Sequence, residues 1–208
     1  MAPAHTNASG RLPAAPRPTA ASTGVWVGVA TISMSFAAYT SALVVRQGAS
    51  ADWLHFRLPS LLYLNTALIA ASSATLELAR RNHGSGRAQP AGDVVVLPGP
   101  VSRTAWWLDI TLALGALFLL GQLLAWRQLA RQGLFLATNP SSAFFYILTA
   151  LHGLHLLGGL VGLLHVRYRL RRGDAPALAA PALGAASLYW HFMAVLWLYL
   201  LLLLAVRL

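Results

Sequence analysis

Residues 149–164 read TALHGLHLLGGLVGLL, an apolar run with two histidines three positions apart and no charged residue. The full apolar segment, Ala143 to Val166, exceeds the ~20 residues that cross a hydrocarbon core of ~30 Å as a helix. An imidazole inside such a helix must find a partner, so His152 and His155 are either interhelical glue, ligands or part of a proton path.

Four further runs have the same character: Val25 to Val45, Leu58 to Ala79, Ala105 to Leu124 and Gly184 to Val206. Hydrophobic residues make up 57% of the 208, and charged residues only 10%, well below the roughly one quarter of soluble domains. The expected fold is therefore an all-α membrane protein with five transmembrane helices in a bundle. Residues 1–22, rich in Ala and Pro and without hydrophobic period, are expected to form a disordered cytoplasmic tail, and 23–208 the transmembrane domain.

The net charge of +10 comes from fifteen basic residues, all arginine, placed at the edges of the apolar runs. This is the distribution of membrane insertion, not of a nucleic-acid surface. Ten arginines (11, 17, 80, 81, 87, 103, 167, 169, 171 and 172) fall on the side of the N-terminus, and five (46, 57, 127, 131 and 207) on the other. The excess predicts a cytoplasmic N-terminus, and an odd number of spans places the C-terminus outside. The absence of cysteine excludes disulfides, thiolate metal sites and covalent c-type haem.

Polar residues within the spans carry the functional signal. In the second span, Thr66, Ser73, Glu77 and Arg80 form one helical stripe, with Asn65 and Ser72 beside it. Glu77 is placed to pair with Arg80 or Arg81 at the membrane edge, with a proton or ion site as the alternative. In the third span Thr111, Gly115, Phe118 and Gln122 share a face suited to close packing, and Asp109 is expected to pair locally near Arg103. In the fourth, His152, His155, Gly159 and Gly162 share a face, and Gly158 with Gly162 makes a GxxxG pair. In the fifth, Trp190, Ala194 and Trp197 line a stripe beside His191.

A haem held by two of these histidines fits poorly. His152 and His155 point the same way from one helix, and His191 lies ~6 Å shallower than His155 at the ~1.5 Å rise of a helix. A copper or zinc site needs three converging ligands, which this arrangement does not provide.

The strings LPSLLYLNTALIAASSATLELARR, WWLDITLALGALFLLGQLLAW, SSAFFYILTALHGLHLLGGLVGLL and SLYWHFMAVLWLYLLLLL, in that order, resemble subunit III of the haem-copper oxidases in its five-helix bacterial form. F-x6-HGLH-x3-G from Phe145 and YWHF-x4-W from Tyr189 carry the likeness. The resemblance implies a non-catalytic subunit, with no cofactor of its own, packed against a catalytic subunit I and other oxidase subunits that carry haem and copper. It also implies phospholipid bound in a cleft, and residence in the bacterial inner membrane. By the same likeness Asn65, Ser72, Ser73, Gln122, His152, His155, Trp190 and His191 occupy the family's characteristic positions. With Glu77, Arg80 and Gly159 they are the candidates for helix packing or the lipid cleft.

Two departures stand out. The residue two places after the WHF motif is usually Asp in the family and is Ala194 here. The first span, where many members carry a Glu, has no acidic residue. A mechanism using either carboxylate is closed to this chain. A subunit III of a quinol oxidase, the related accessory protein of nitric oxide reductase, and a free-standing haem b cytochrome remain alternatives.

Overall fold

The computed structural model describes residues 20–49, 52–85, 100–172 and 176–208. They form five helices: α1 (Ala20–Ala49), α2 (Leu61–Ser85), α3 (Pro100–Arg131), α4 (Pro140–Arg172) and α5 (Pro176–Arg207). All five are long and apolar enough to cross a membrane, and no strand occurs among the described residues.

Each expected span lies inside one helix except at the start of the second. There Leu58 precedes Pro59, whose ring disfavours helical backbone at the residue before it, and α2 begins at Leu61. Most of the residues expected in the tail lie outside the described residues, as do residues 93–98, DVVVLP, whose composition suggests a short extended piece along the surface; Ala20 to Ser22 belong to α1.

Local chemistry sets the ends. Asn139 caps α4: its Oδ1 accepts the Ser142 backbone N–H at 2.8 Å, and Pro140 follows where no N–H is needed. α3 ends in a Schellman turn. Gly133, at φ +79°, takes the left-handed position. Leu134 N–H then reaches back to the Leu129 carbonyl at 3.2 Å, and Gly133 N–H to Ala130 at 3.0 Å.

Helices α2, α3, α4 and α5 close a ring in which each packs on the next and α5 returns to α2. Their cross-contacts run in opposite senses, so ring neighbours are antiparallel. Ser72 bonds to Thr111 while Asn65, two turns earlier, bonds to Phe118. α1 lies outside the ring, against α5 and α4. It runs parallel to α5, since Thr40 meets Tyr199 and Gln47 meets Arg207.

The core fills the ring with Trp190, Trp197, Phe118, Phe145 and leucines from every helix, all fully buried. Outward faces keep exposed leucines such as Leu120, Leu154 and Leu202, as expected where the solvent is lipid or another subunit. At one end the α1–α2 connection folds over the C-terminus: Phe56 N–H donates to the Leu208 carbonyl and the Trp53 indole to that of Arg207.

Candidate functional site: the polar seams of the helix ring

The polar stripe of α2 faces α3 and α5, and most of its members hold a hydrogen bond across a helix boundary. The Trp190 indole N–H donates to Ser72 Oγ at 3.1 Å, and Ser72 Oγ donates to the Thr111 carbonyl at 3.1 Å. One turn away Thr75 and Thr111 hydroxyls meet at 2.9 Å. Two turns away, the Trp197 indole donates to Thr66 Oγ1 at 3.0 Å. The two tryptophans of YWHF-x4-W are therefore anchored to α2 by their only polar atoms.

Both indoles also determine which glycines matter. A Cβ at Gly115 would lie 2.8 Å from Trp190 Cη2 and 2.8 Å from a Leu160 methyl. A Cβ at Gly159 would lie 3.0 Å from Tyr189 Cε1 and 3.2 Å from Trp190 Cε3. The indole is thus clasped between α3 and α4 at two residues without side chains. Gly158 and Gly162, the GxxxG pair of the sequence, have nothing within 4 Å of a Cβ position. Close approach on α4 runs through Gly159 instead.

The histidines separate into three environments. His155 Nδ1 donates to the Leu151 carbonyl of its own helix at 2.7 Å, and the carbonyl of His155 accepts Tyr189 Oη–H at 2.9 Å. Its ring lies 6.0 Å from that of Phe36, on the side where α1 packs. His191 Nδ1 shares a hydrogen bond with Ser73 Oγ, and its Nε2 lies 3.9 Å from a Glu77 carboxylate oxygen. His152 is fully buried between Phe118 and Trp197.

The charged residues sit at the helix ends. Glu77 accepts from Arg80 at 2.8 Å and from Arg81 at 3.0 Å. Asp109 accepts both arms of Arg167, on α4, at 2.8 Å each. This bidentate bridge replaces the local pairing with Arg103 expected from sequence; α3 and α4 are antiparallel, so the start of one lies beside the end of the other. Ala194, at the position where the family usually has Asp, is a buried residue of α5. Among the described residues no group of three His, Asp or Glu converges as a metal site.

Asn65 and Gly121 form a junction that sequence reading did not bring together. Asn65 Nδ2 donates to the Phe118 carbonyl at 3.4 Å, and its Oδ1 packs directly against Gly121, where a Cβ would collide with it. The signal was present only as two unconnected facts: a buried-type amide in one span and a glycine in the next.

These features define a multi-pass helical membrane protein whose internal polar groups serve chiefly to join helices. The model of the family described as cytochrome c oxidase subunit III matches residues 29–206, and the chain belongs to that family. The chain is 29% identical to a probable cytochrome c oxidase subunit 3 of Nocardia farcinica, over 87% of this chain and 85% of that one. It is likewise 29% identical to cytochrome c oxidase subunit 3 of Thermostichus vulcanus, over 85% and 82%. A shorter match, 40% identical over 95 residues, joins it to the Synechocystis subunit, covering 45% of this chain and 40% of the relative.

Proposed function

We propose that this chain is the non-catalytic subunit III of a bacterial aerobic terminal oxidase that takes electrons from cytochrome c. It stabilises the catalytic subunit and holds phospholipid. The observation that carries this reading is the use made of the polar residues within the spans. Ser72, Ser73, Thr66, Trp190 and Trp197 are committed to interhelical bonds. Glu77 and Asp109, the acidic residues of the spans, are bound by arginines at the helix ends. Such a chain is built to hold shape beside a partner; haem and copper belong to the partner subunits.

The arginines at the two ends of the ring support the orientation. Arg80, Arg81, Arg103, Arg167, Arg169, Arg171 and Arg172 gather where α2 and α4 end and α3 begins. Arg46, Arg57, Arg127, Arg131 and Arg207 lie toward the other end. The richer end faces the cytoplasm, which puts the C-terminus outside and offers the cytoplasmic head groups of anionic phospholipids a cationic rim.

Purification of the tagged chain from native membranes tests the proposal. The expected result is a co-purifying large subunit with haem and copper, O2 uptake driven by reduced cytochrome c, and bound phospholipid. Uptake driven by quinol, or nitric oxide reduction, would reassign the complex. A Soret band stoichiometric with the isolated chain and lost in His191→Ala would overturn the reading.

A further inference from the structure

Three side chains at one level of the ring retain polar atoms that are fully buried and have no hydrogen-bond partner among the described residues. They are Gln122, with both Nε2 and Oε1, His152, with both ring nitrogens, and Asn65, with Oδ1. Gln122 is 3% exposed, and His152 and Asn65 are 0% exposed. Unsatisfied groups of this kind are rare in folded proteins, because a buried donor or acceptor that has given up its water pays the full cost of desolvation, and a bound water or ion commonly satisfies them.

The register of the helices brings these groups together. On α3, Leu119 meets Gly153, and Trp126 donates its indole N–H to Thr149 at 3.0 Å. Gln122 lies between those two residues and so faces the 149–153 stretch, which contains His152. One turn before Gln122, the Phe118 ring lies 5.8 Å from the His152 ring, and the Phe118 carbonyl takes the Asn65 amide. α2, α3 and α4 thus each contribute one unpaired polar group at the same depth, with the Trp197 ring of α5 tilted beside His152 at 5.3 Å.

We propose that this level of the ring is a water-binding site, with Gln122 and His152 as its principal partners and Asn65 Oδ1 as a further acceptor. Chemistry selects the ligand. The groups are uncharged amides and one imidazole, with no carboxylate among them, and the neighbouring His155 spends its Nδ1 on the Leu151 carbonyl with its ring toward Phe36 of α1. A hard divalent cation wants six or more oxygens, and zinc wants three or four strong ligands, so neither is served. A direct bond between Gln122 and His152 would use one atom of each and leave a ring nitrogen and an amide group unpaired. Water donates and accepts, and typically makes about three bonds to such groups. Bridged in this way, the site ties α2, α3 and α4 together in the part of the ring nearer the start of α2 and the end of α3. The hydroxyls of Thr66, Ser72 and Thr111 join α2 to α3 and α5 instead.

The test uses the full chain in the complex with which it purifies. A map at a resolution that shows ordered water should contain density within hydrogen-bonding distance of both the Gln122 amide and the His152 ring. Gln122→Leu and His152→Leu should each lower the thermal transition by leaving the other group unbridged. The double variant Q122L/H152L should recover part of the loss. A dry contact between Gln122 and His152, a peak with metal-like coordination, or strictly additive losses in the double variant would overturn the proposal.

Discussion

The indole of Trp190 occupies the space that a side chain at Gly115 would need: a Cβ there would lie 2.8 Å from Cη2. The ring can barely retreat, because its Cε3 lies against Gly159 and its N–H is tied to Ser72. Gly115→Ala is therefore expected to destabilise by about 1–3 kcal/mol, the usual cost of overpacking a core. Gly158→Ala and Gly162→Ala meet no atom within 4 Å and should be neutral or stabilise by up to about 1 kcal/mol through helix propensity. Thermal unfolding of the three variants in detergent checks the contrast. Equal losses in all three would show that the clasp around Trp190 is not what matters.

Ser72 stands at the meeting of three helices, accepting from Trp190 and donating to the Thr111 carbonyl. Ser72→Ala removes the acceptor and leaves a fully buried indole N–H orphaned. The expected loss is about 0.6–2 kcal/mol, the lower bound being the average for interhelical bonds in membranes. Pairing it with Trp190→Phe provides the control. Once the indole N–H is gone, Ser72→Ala should cost measurably less, and a double-mutant cycle reads the difference.

The Asn65–Gly121 junction predicts a similar cycle between α2 and α3. Gly121→Ala puts a methyl group where the Asn65 amide oxygen sits, so the amide must swing out and lose its bond to the Phe118 carbonyl. A loss of about 2–4 kcal/mol is expected, from overpacking together with a stranded amide. Asn65→Ala in the same chain vacates the space and should return part of that loss. If Gly121→Ala is as damaging with Asn65→Ala as without it, the steric account fails.

Sequence reading reached the fold because the physics of spanning is one-dimensional: an apolar run of sufficient length, with arginines at its edges, specifies a helix whatever its neighbours. Its errors came at the ends. Trp126 to Arg131 and Arg167 to Arg172 lie outside the apolar runs and are rich in arginine, which reads as connector, yet both continue their helices beyond the apolar segment. A helix stops where the backbone is diverted, as at Gly133, not where hydrophobicity falls. The α2 stripe was visible as periodicity, but its partners were not. Which glycine receives Trp190, and which arginine receives Asp109, depends on the register between helices, and no single helix's pattern contains that information.

The Asp109–Arg167 bridge shows what such register contributes energetically. Arg167 is mostly shielded, with 11% of its side chain exposed, whereas Asp109 is 46% exposed. Partial exposure screens the charge, so the bidentate geometry at 2.8 Å must be set against values of about 0.2–1 kcal/mol for exposed pairs. Asp109→Asn should therefore lower stability by no more than about 1 kcal/mol. The loss should shrink at high salt, where the wild-type bridge is itself screened. Arg167→Gln should cost a similar amount, and the double variant little more than either, because each substitution already removes the same interaction. Thermal transitions of the four proteins at low and high salt measure this directly. Losses that simply add, unchanged by salt, would show that the two residues act separately and that the α3–α4 seam is held by its apolar contacts alone.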